Sequence, residues 1–161
     1  MKNEIIKKII ISFVIVLFIF FIDRITKILI LNIAETGKVD IYVNSFLNLY
    51  LVWNNGIGFG LLSFDDNYVY NSITVLIILI NLIIVYLIYI EKGLKSYFLI
   101  GILGGSLGNL FDRLYYNAVP DFIDLNYNGF HWFIFNVADI FITIGIICLI
   151  FSELVNYKRV K

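Results

Sequence analysis

The sequence contains only one cysteine, one histidine and one proline among its 161 residues. A single cysteine excludes a disulfide framework, and the one cysteine and one histidine are too few for a structural zinc site. A Ser-His-Asp arrangement would depend on His131 alone, and neither His131 nor Cys148 has a partner at a motif spacing. We assign neither residue a role. Twelve basic residues balance twelve acidic ones, which argues against a nucleic-acid partner because such proteins carry a clustered basic face.

Apolar residues are in large excess. The chain is 61% hydrophobic and 15% charged, with a mean hydropathy of +0.93, whereas soluble domains are about 45–50% apolar and about 25% charged. Four stretches approach the length of about 20 residues that crosses a membrane, at about 9–31, 71–90, 97–113 and 136–155. No small-residue cleavage site follows the first stretch, so we interpret it as an uncleaved span. The sequence predicts one polytopic, mainly α-helical domain over residues 1–161.

The positive charges predict the orientation of the spans, because lysine and arginine in short loops stay on the cytoplasmic side. Most of them lie at the two termini and between the second and third spans: Lys2, Lys7, Lys8, Lys92, Lys95, Lys158, Arg159 and Lys161. We therefore expect both termini in the cytoplasm and the longer loops, about 32–70 and 114–135, on the outer side.

The outer loops carry ordered patterns. Residues 39–53 alternate and are rich in β-branched and aromatic side chains, and Asn-Ser or Asn-Gly steps stand at both breaks, which predicts a small antiparallel sheet. Residues 122–135 carry aromatic side chains that suit a membrane interface. The predicted fold is therefore four transmembrane helices with a small β-sheet on the outer, periplasmic face.

Acidic residues concentrate at the outer end of the predicted bundle. Asp139 has two interpretations. An intramembrane carboxylate often marks a functional site, but Asn136 and Asp139 together also resemble a helix capping box. Asp121 follows Pro120 and by local rules is a loop aspartate. A second carboxylate at the same depth makes Asp121 a candidate for chemistry, while we interpret Asp124 as a solvent-facing loop residue.

For the remaining polar and glycine residues of the first and third spans, we prefer a structural interpretation. Asp23 and Lys27 are spaced as a helix-internal ion pair, and Asp112 is expected to pair with Arg113 or Lys27. The glycines of the third span allow close helix packing: Gly101, Gly104, Gly105 and Gly108. Asn109 and Arg113 continue one of these glycine stripes at four-residue steps towards the outer end.

With these residues in view, the chain resembles the bacterial lipoprotein signal peptidases, or signal peptidase II, over essentially its whole length. Five segments are similar to family motifs and occur in the family's order: residues 23–27, 54–60, 104–113, 119–122 and 135–139. The sequence departs from the family pattern at Arg24, where glutamine is common, at Gly58, at Asn117, where a glycine is usual, and at Phe133. The Asn117 change is mild because asparagine tolerates a left-handed backbone.

The resemblance implies an aspartic endopeptidase of the bacterial plasma membrane. Its substrates would be prolipoproteins that carry a diacylglyceryl group on a cysteine, cut at the bond before that cysteine. The resemblance makes Asp121 and Asp139 the catalytic pair. It makes the following residues substrate-binding or site-shaping: Asp23, Lys27, Asn54, Gly56, Asn109, Arg113 and Asn136. No cofactor or metal is implied, and we expect a monomer in contact with membrane lipid.

Two other classes stay open at this point. Intramembrane Asp23, Lys27, Arg113 and Asp139 could serve a small proton-coupled transporter or a lipid-handling protein. Transport requires access from both sides, and the polar residues gather at one end of the bundle, which disfavours it. An inactive binding module is the third possibility.

Overall fold

A computed structural model describes residues 2–56 and 67–160. The second half of the predicted motif at residues 54–60, including Gly58, lies outside the described residues. The elements follow in the order α1 (Lys2–Glu35), β1 (Asp40–Asn44), β2 (Leu47–Asn54), α2 (Asn67–Ile90), α3 (Leu94–Tyr116), β3 (Val119–Tyr127), β4 (Phe130–Phe135) and α4 (Val137–Val160).

The described part of the chain has four helices that are long and apolar enough to cross a membrane: Asn3–Glu35, Tyr68–Ile90, Leu94–Tyr116 and Val137–Val155. Their exposed surfaces are dominated by Ile, Leu, Val and Phe side chains, as a lipid environment requires. α1 and α3 extend beyond the apolar runs that predicted them, because residues on either side continue the helical hydrogen bonding. The predicted fold class, four membrane helices with a small antiparallel sheet, is confirmed.

The sheet has four strands, in the order β1-β2-β3-β4, with every described pair antiparallel. β1 and β2 pair antiparallel, as predicted for residues 39–53. β3 and β4 were not predicted: residues 114–135 were interpreted as an outer loop, and residues 122–135 within it as an interfacial aromatic segment. They form a hairpin around Asn128 and Gly129, both with positive φ, which is the conformation that a two-residue Asn-Gly turn adopts. Asp121 therefore lies in a strand, and its loop interpretation was wrong.

α3 is the central helix, and its glycines bring two neighbours close. A Cβ on Gly104 would lie 2.8 Å from the Cβ of Ile19 on α1, and one on Gly105 would collide with the backbone carbonyl oxygen of Ala138 on α4. Glycine is needed at these positions because a methyl group would force the helices apart. The structural interpretation of the glycine stripe is thereby confirmed.

The sheet lies at one end of the bundle, where α1 and α3 end and α2 and α4 begin. One face of it packs on the last turns of α1 through a small apolar cluster built on Ile30, Val39 and Phe122. The connection from α3 to β3 turns at Asn117, whose φ of 56° and ψ of 21° are left-handed, as expected for the residue that replaces a glycine there. These contacts bring strand β3 over the start of α4.

Candidate active site

The two carboxylates predicted as a pair lie at the sheet end of the bundle and are almost completely buried. Asp121 lies on β3 and is 2% exposed, and Asp139 lies in the first turn of α4 and is 9% exposed. A buried carboxylate needs compensating hydrogen bonds, because desolvation strongly disfavours its charge. The partners of both groups therefore define the site.

Asn136 binds both carboxylates. Its side-chain Nδ2 donates to Asp121 Oδ1 at 2.6 Å, and its backbone N–H donates to Asp139 Oδ2 at 3.1 Å. The backbone N–H of Asp139 donates in turn to Asn136 Oδ1 at 3.2 Å, which completes a reciprocal capping box at the start of α4. The capping and functional interpretations of this pair are therefore compatible, because the same helix start holds Asp139 beside the strand that carries Asp121.

Asn54, at the end of β2, supplies the second hydrogen bond to Asp121. Its Nδ2 donates to Asp121 Oδ2 at 2.8 Å, while its Oδ1 accepts the backbone N–H of Gly56 at 2.8 Å. The register of β2 with β3 places Val52 opposite Asp121. This register brings the side chains of Asn54 and Asp121 together. Both oxygens of Asp121 thus accept one amide hydrogen bond each.

Burial raises the pKa of Asp121 from its ordinary value of 3.8 to about 7, and the nearby charge of Asp139 adds to this rise. The hydrogen bonds from Asn54 and Asn136, and the positive charge of Lys27, act in the opposite direction. A carboxyl group with such a pKa exchanges its proton near neutral pH, which is what general acid–base catalysis requires.

A buried charge network supports Asp139 from the helix side. Asn109 on α3 donates to Asp139 Oδ1 at 2.8 Å and accepts a hydrogen bond from Lys27 Nζ at 2.8 Å. Lys27 also donates to Asp23 and Asp112, at 2.7 Å each. Asp23 in turn accepts the backbone N–H of Ala138 at 3.0 Å, so it caps the start of α4 as well. The predicted pair of Asp23 and Lys27 is confirmed, and it joins α1, α3 and α4.

Arg24 completes this network in a way that the sequence did not reveal. Its guanidinium pairs with Asp112, which is fully buried, and lies 4.9 Å from the centre of the Phe111 ring. Asp112 therefore binds Lys27, as one alternative predicted, and Arg24 rather than Arg113. The spacing within α1 gave no signal for this contact, because Arg24 and Asp112 meet only through the packing of α1 on α3.

Arg113, at the end of α3, connects to Asp121 through Gly56 and Asn54. One of its guanidinium nitrogens, Nη2, donates to the backbone carbonyl of Gly56, and the guanidinium lies 5.4 Å from the centre of the Tyr70 ring on α2. Tyr70 was not predicted as part of the site, since it stands at the start of an apolar span with no motif around it. Its hydroxyl donates to the backbone carbonyl of Arg113 at 3.0 Å.

Hydrogen bonds connect every predicted site residue into one continuous path. The path runs through Asp23, Lys27, Asn109, Asp139, Asn136, Asp121, Asn54, Gly56 and Arg113. The donors around the two carboxylates are asparagine side chains and backbone N–H groups. Within the described ranges, no three His, Cys, Asp or Glu side chains are grouped so that they could hold a metal ion.

Asp124 lies outside this path, and its prediction as a solvent-facing loop residue was wrong. It is on β3, is 4% exposed, and accepts hydrogen bonds from Asn48 and His131. His131 Nδ1 lies 2.8 Å from Asp124 Oδ2 across the β3–β4 hairpin. The Asn128-Gly129 step was the sequence signal for this hairpin, and it would have placed His131 opposite Asn126, two residues from Asp124 on the same face of the sheet. The pair joins β3 and β4, and neither residue belongs to the hydrogen-bonded path described above.

Comparison with known proteins decides the family. The sequence profile described as Signal peptidase (SPase) II matches residues 15–155. The chain belongs to the signal peptidase II family. A protein named lipoprotein signal peptidase from Pelagibacter ubique is 55% identical over 144 residues, which cover 89% of this chain and 87% of the relative. One with the same name from Burkholderia vietnamiensis is 41% identical over 153 residues, covering 94% of this chain and 87% of that relative.

Solved structures agree with this membership. One described as a bacterial membrane enzyme superposes with a TM-score of 0.80 at 32% identity, covering 93% of this chain and 91% of that one. A second with the same description has a TM-score of 0.72 at 32% identity, with 89% and 92% covered. The family prediction is confirmed, the chain is a multi-pass membrane peptidase that removes signal peptides, and nothing in these comparisons favours the transporter alternative.

Proposed function

We propose that this protein is an aspartic endopeptidase that removes the signal peptide from diacylglyceryl-modified prolipoproteins by cutting the bond before the lipidated cysteine. Asp121 and Asp139 are its catalytic pair. The observation that carries the proposal is the position of Asn136, which hydrogen-bonds to both buried carboxylates at once. The names of the relatives, which are lipoprotein signal peptidases, support the substrate class.

The chemistry follows from the closeness of the two acids. Two buried carboxylates side by side cannot both ionise cheaply, so the pair holds one proton between them and titrates as a unit. The ionised carboxylate takes a proton from a water molecule, whose oxygen attacks the scissile carbonyl carbon. The protonated carboxyl gives its proton to the carbonyl oxygen, which yields a tetrahedral diol.

The second half of the reaction returns the pair to its starting state. The carboxyl that gained the water proton gives it to the amide nitrogen, and the other carboxylate accepts a proton from the diol as the C–N bond breaks. The signal peptide leaves with a new carboxyl group, and the cysteine keeps its lipid and gains a free amino group. Asn54, Asn109, Asn136 and Arg113 hold the pair and supply donors for the peptide backbone.

The proposed placement in the membrane suits such a substrate. Both termini lie in the cytoplasm of the bacterium, the sheet lies on the outer face of the plasma membrane, and one domain over residues 1–161 carries the site as a monomer. A site at the outer rim lets the acyl chains stay in lipid while the scissile bond meets water. The positive charges of the termini and of the loop between α2 and α3 support this orientation.

Cleavage of a synthetic precursor by the purified protein in detergent tests the proposal. The precursor carries diacylglyceryl on its cysteine, and mass spectrometry locates the cut. We expect Asp121→Asn and Asp139→Asn each to bind the precursor but to lose at least about 10³-fold in cleavage rate, because each removes one proton carrier. The matched control is Asp124→Asn, a buried aspartate on the same strand outside the pair, which should retain activity within about threefold.

Near-normal cleavage by either pair variant would remove that residue from the catalytic step. Loss of activity in all three variants would mean that the substitutions disturb the sheet and not the chemistry. A chelator should leave the wild-type rate unchanged, and a loss restored by added metal would contradict the proposed mechanism.

A further inference from the structure

We propose that Tyr70 is a positioning residue for the catalytic pair. It holds the guanidinium of Arg113 and, through Gly56 and Asn54, fixes the side-chain amide that binds Asp121. This inference rests on the proposed function and adds to it a residue on α2, the helix that carries none of the predicted site residues.

Tyr70 makes two contacts with Arg113. Its hydroxyl donates to the Arg113 backbone carbonyl at 3.0 Å, and its ring lies 5.4 Å from the guanidinium carbon. Arg113 is in the last turn of α3. The hydroxyl therefore ties α2 to the last turn of α3, and the ring face attracts the positive charge. Tyr70 itself is 8% exposed.

The guanidinium depends on Tyr70 because it has few other contacts with the described residues. Its Nη2 donates to the backbone carbonyl of Gly56, while its Nη1 is buried and has no hydrogen-bond partner among the described residues. No carboxylate among the described residues forms an ion pair with Arg113: the described ion pairs of the nearby Asp112 go to Arg24 and Lys27. The Tyr70 ring is thus a main determinant of where the guanidinium points.

The path from Arg113 to Asp121 is short. Arg113 fixes the carbonyl of Gly56, and the N–H of the same glycine donates to Asn54 Oδ1 at 2.8 Å. This bond sets which edge of the Asn54 amide faces Asp121, so that Nδ2 donates to Asp121 Oδ2 at 2.8 Å. Loss of the Tyr70 contacts would leave the Gly56 backbone free to rotate and would weaken the donor to Asp121.

Two variants separate the ring from the hydroxyl. Tyr70→Leu removes both contacts, and Tyr70→Phe keeps the ring. The matched control is Tyr86→Leu on the same helix, since Tyr86 is 62% exposed on the apolar surface. We expect kcat for the diacylglyceryl precursor to fall about tenfold in Tyr70→Leu and about threefold in Tyr70→Phe, with the control unchanged.

The pH–rate profile distinguishes positioning from a merely structural role. The groups that act on Asp121 are Asn54, Asn136, Asp139 and Lys27, and the Asn54 hydrogen bond lowers its pKa. With that bond weakened, the limb of the profile that reports the carboxyl pair should move to higher pH in Tyr70→Leu and return most of the way in Tyr70→Phe.

A folded Tyr70→Leu protein with wild-type kcat, or with lower kcat and an unchanged pH–rate profile, would overturn the inference. If Tyr70→Leu does not fold, kcat of Tyr70→Phe decides: a loss of about threefold supports the inference, and wild-type kcat overturns it. The proposed function fails separately, when the wild type does not cut the precursor or when Asp121→Asn still does. The inference alone fails when those two results are as expected and the Tyr70 variants behave like Tyr86→Leu.

Discussion

Replacement of Lys27 by methionine removes the positive charge at the centre of the buried network. Lys27 is fully buried and donates to Asp23 Oδ2 and Asp112 Oδ2 at 2.7 Å and to Asn109 Oδ1 at 2.8 Å. Methionine keeps most of the apolar stem, so the change in packing is small. The variant instead leaves two buried carboxylates without their shared cation.

The size of the effect follows from that loss. Removing one partner of a buried ion pair costs about 3–5 kcal/mol, because the remaining charge stays desolvated. Arg24 still neutralises one side of Asp112, and the backbone N–H of Ala138 still binds Asp23, so the lower half of this range is expected. For a chain of this size, a loss of about 3 kcal/mol lowers Tm by about 6–12 °C. Cleavage should fall too, since Asn109 loses the donor that orients it towards Asp139.

Thermal unfolding in detergent, followed by intrinsic fluorescence, measures the effect. The matched control is Lys95→Met, which removes a lysine whose side chain is 23% exposed and pairs with Glu153, itself 65% exposed. Exposed pairs contribute little, so the control should unfold at the wild-type temperature. Equal Tm values for the two variants would refute the argument that the Lys27 network holds α1, α3 and α4 together.

Two further predictions concern packing and pH. Gly108→Ala would place a Cβ 2.5 Å from Asp23 Oδ2, whereas in Gly101→Ala the nearest atom is the Phe141 carbonyl oxygen at 4.0 Å. We therefore expect only Gly108→Ala to lose stability, by about 1–3 kcal/mol. Equal melting temperatures of the two variants would contradict this. The pKa of Asp121 rises from 3.8 to about 7 on folding. Between these two pH values the native state therefore binds more protons than the unfolded state. The free energy of unfolding should accordingly fall as the pH rises from about 4 to about 7. Asp121→Asn should flatten that dependence, and an unchanged slope in the variant would assign it to another group.

Much of the candidate site was predictable, because its residues lie in short segments whose order matches one family. Asn136 and Asp139 also follow a local rule, the capping box, which places both at a helix start. Asp23 and Lys27 lie one helical turn apart and therefore had to meet. For these residues the sequence neighbourhood determines the contact.

Contacts between distant elements were not predictable in the same way. Pro120 suggested a loop, yet it lies in β3 opposite Trp53, where β4 has not begun to pair and the strand has only one neighbour. A proline is tolerated there because no ladder donor is required on its open side. The partners of Arg24 and Tyr70 likewise depend on how α1, α2 and α3 pack, which no local pattern encodes.

Infrared spectroscopy of the carboxyl groups tests the central claim, that Asp121 and Asp139 form a coupled pair, most directly. In protein with isotope-labelled aspartate, the protonated carboxyl band should titrate with a midpoint of about 7 in the wild type and in Asp124→Asn. In Asp139→Asn the midpoint should move to lower pH, because the neighbouring charge that raises the pKa of Asp121 is gone. A midpoint that stays at about 7 in Asp139→Asn would contradict the account, since the two carboxyl groups would then not sense each other.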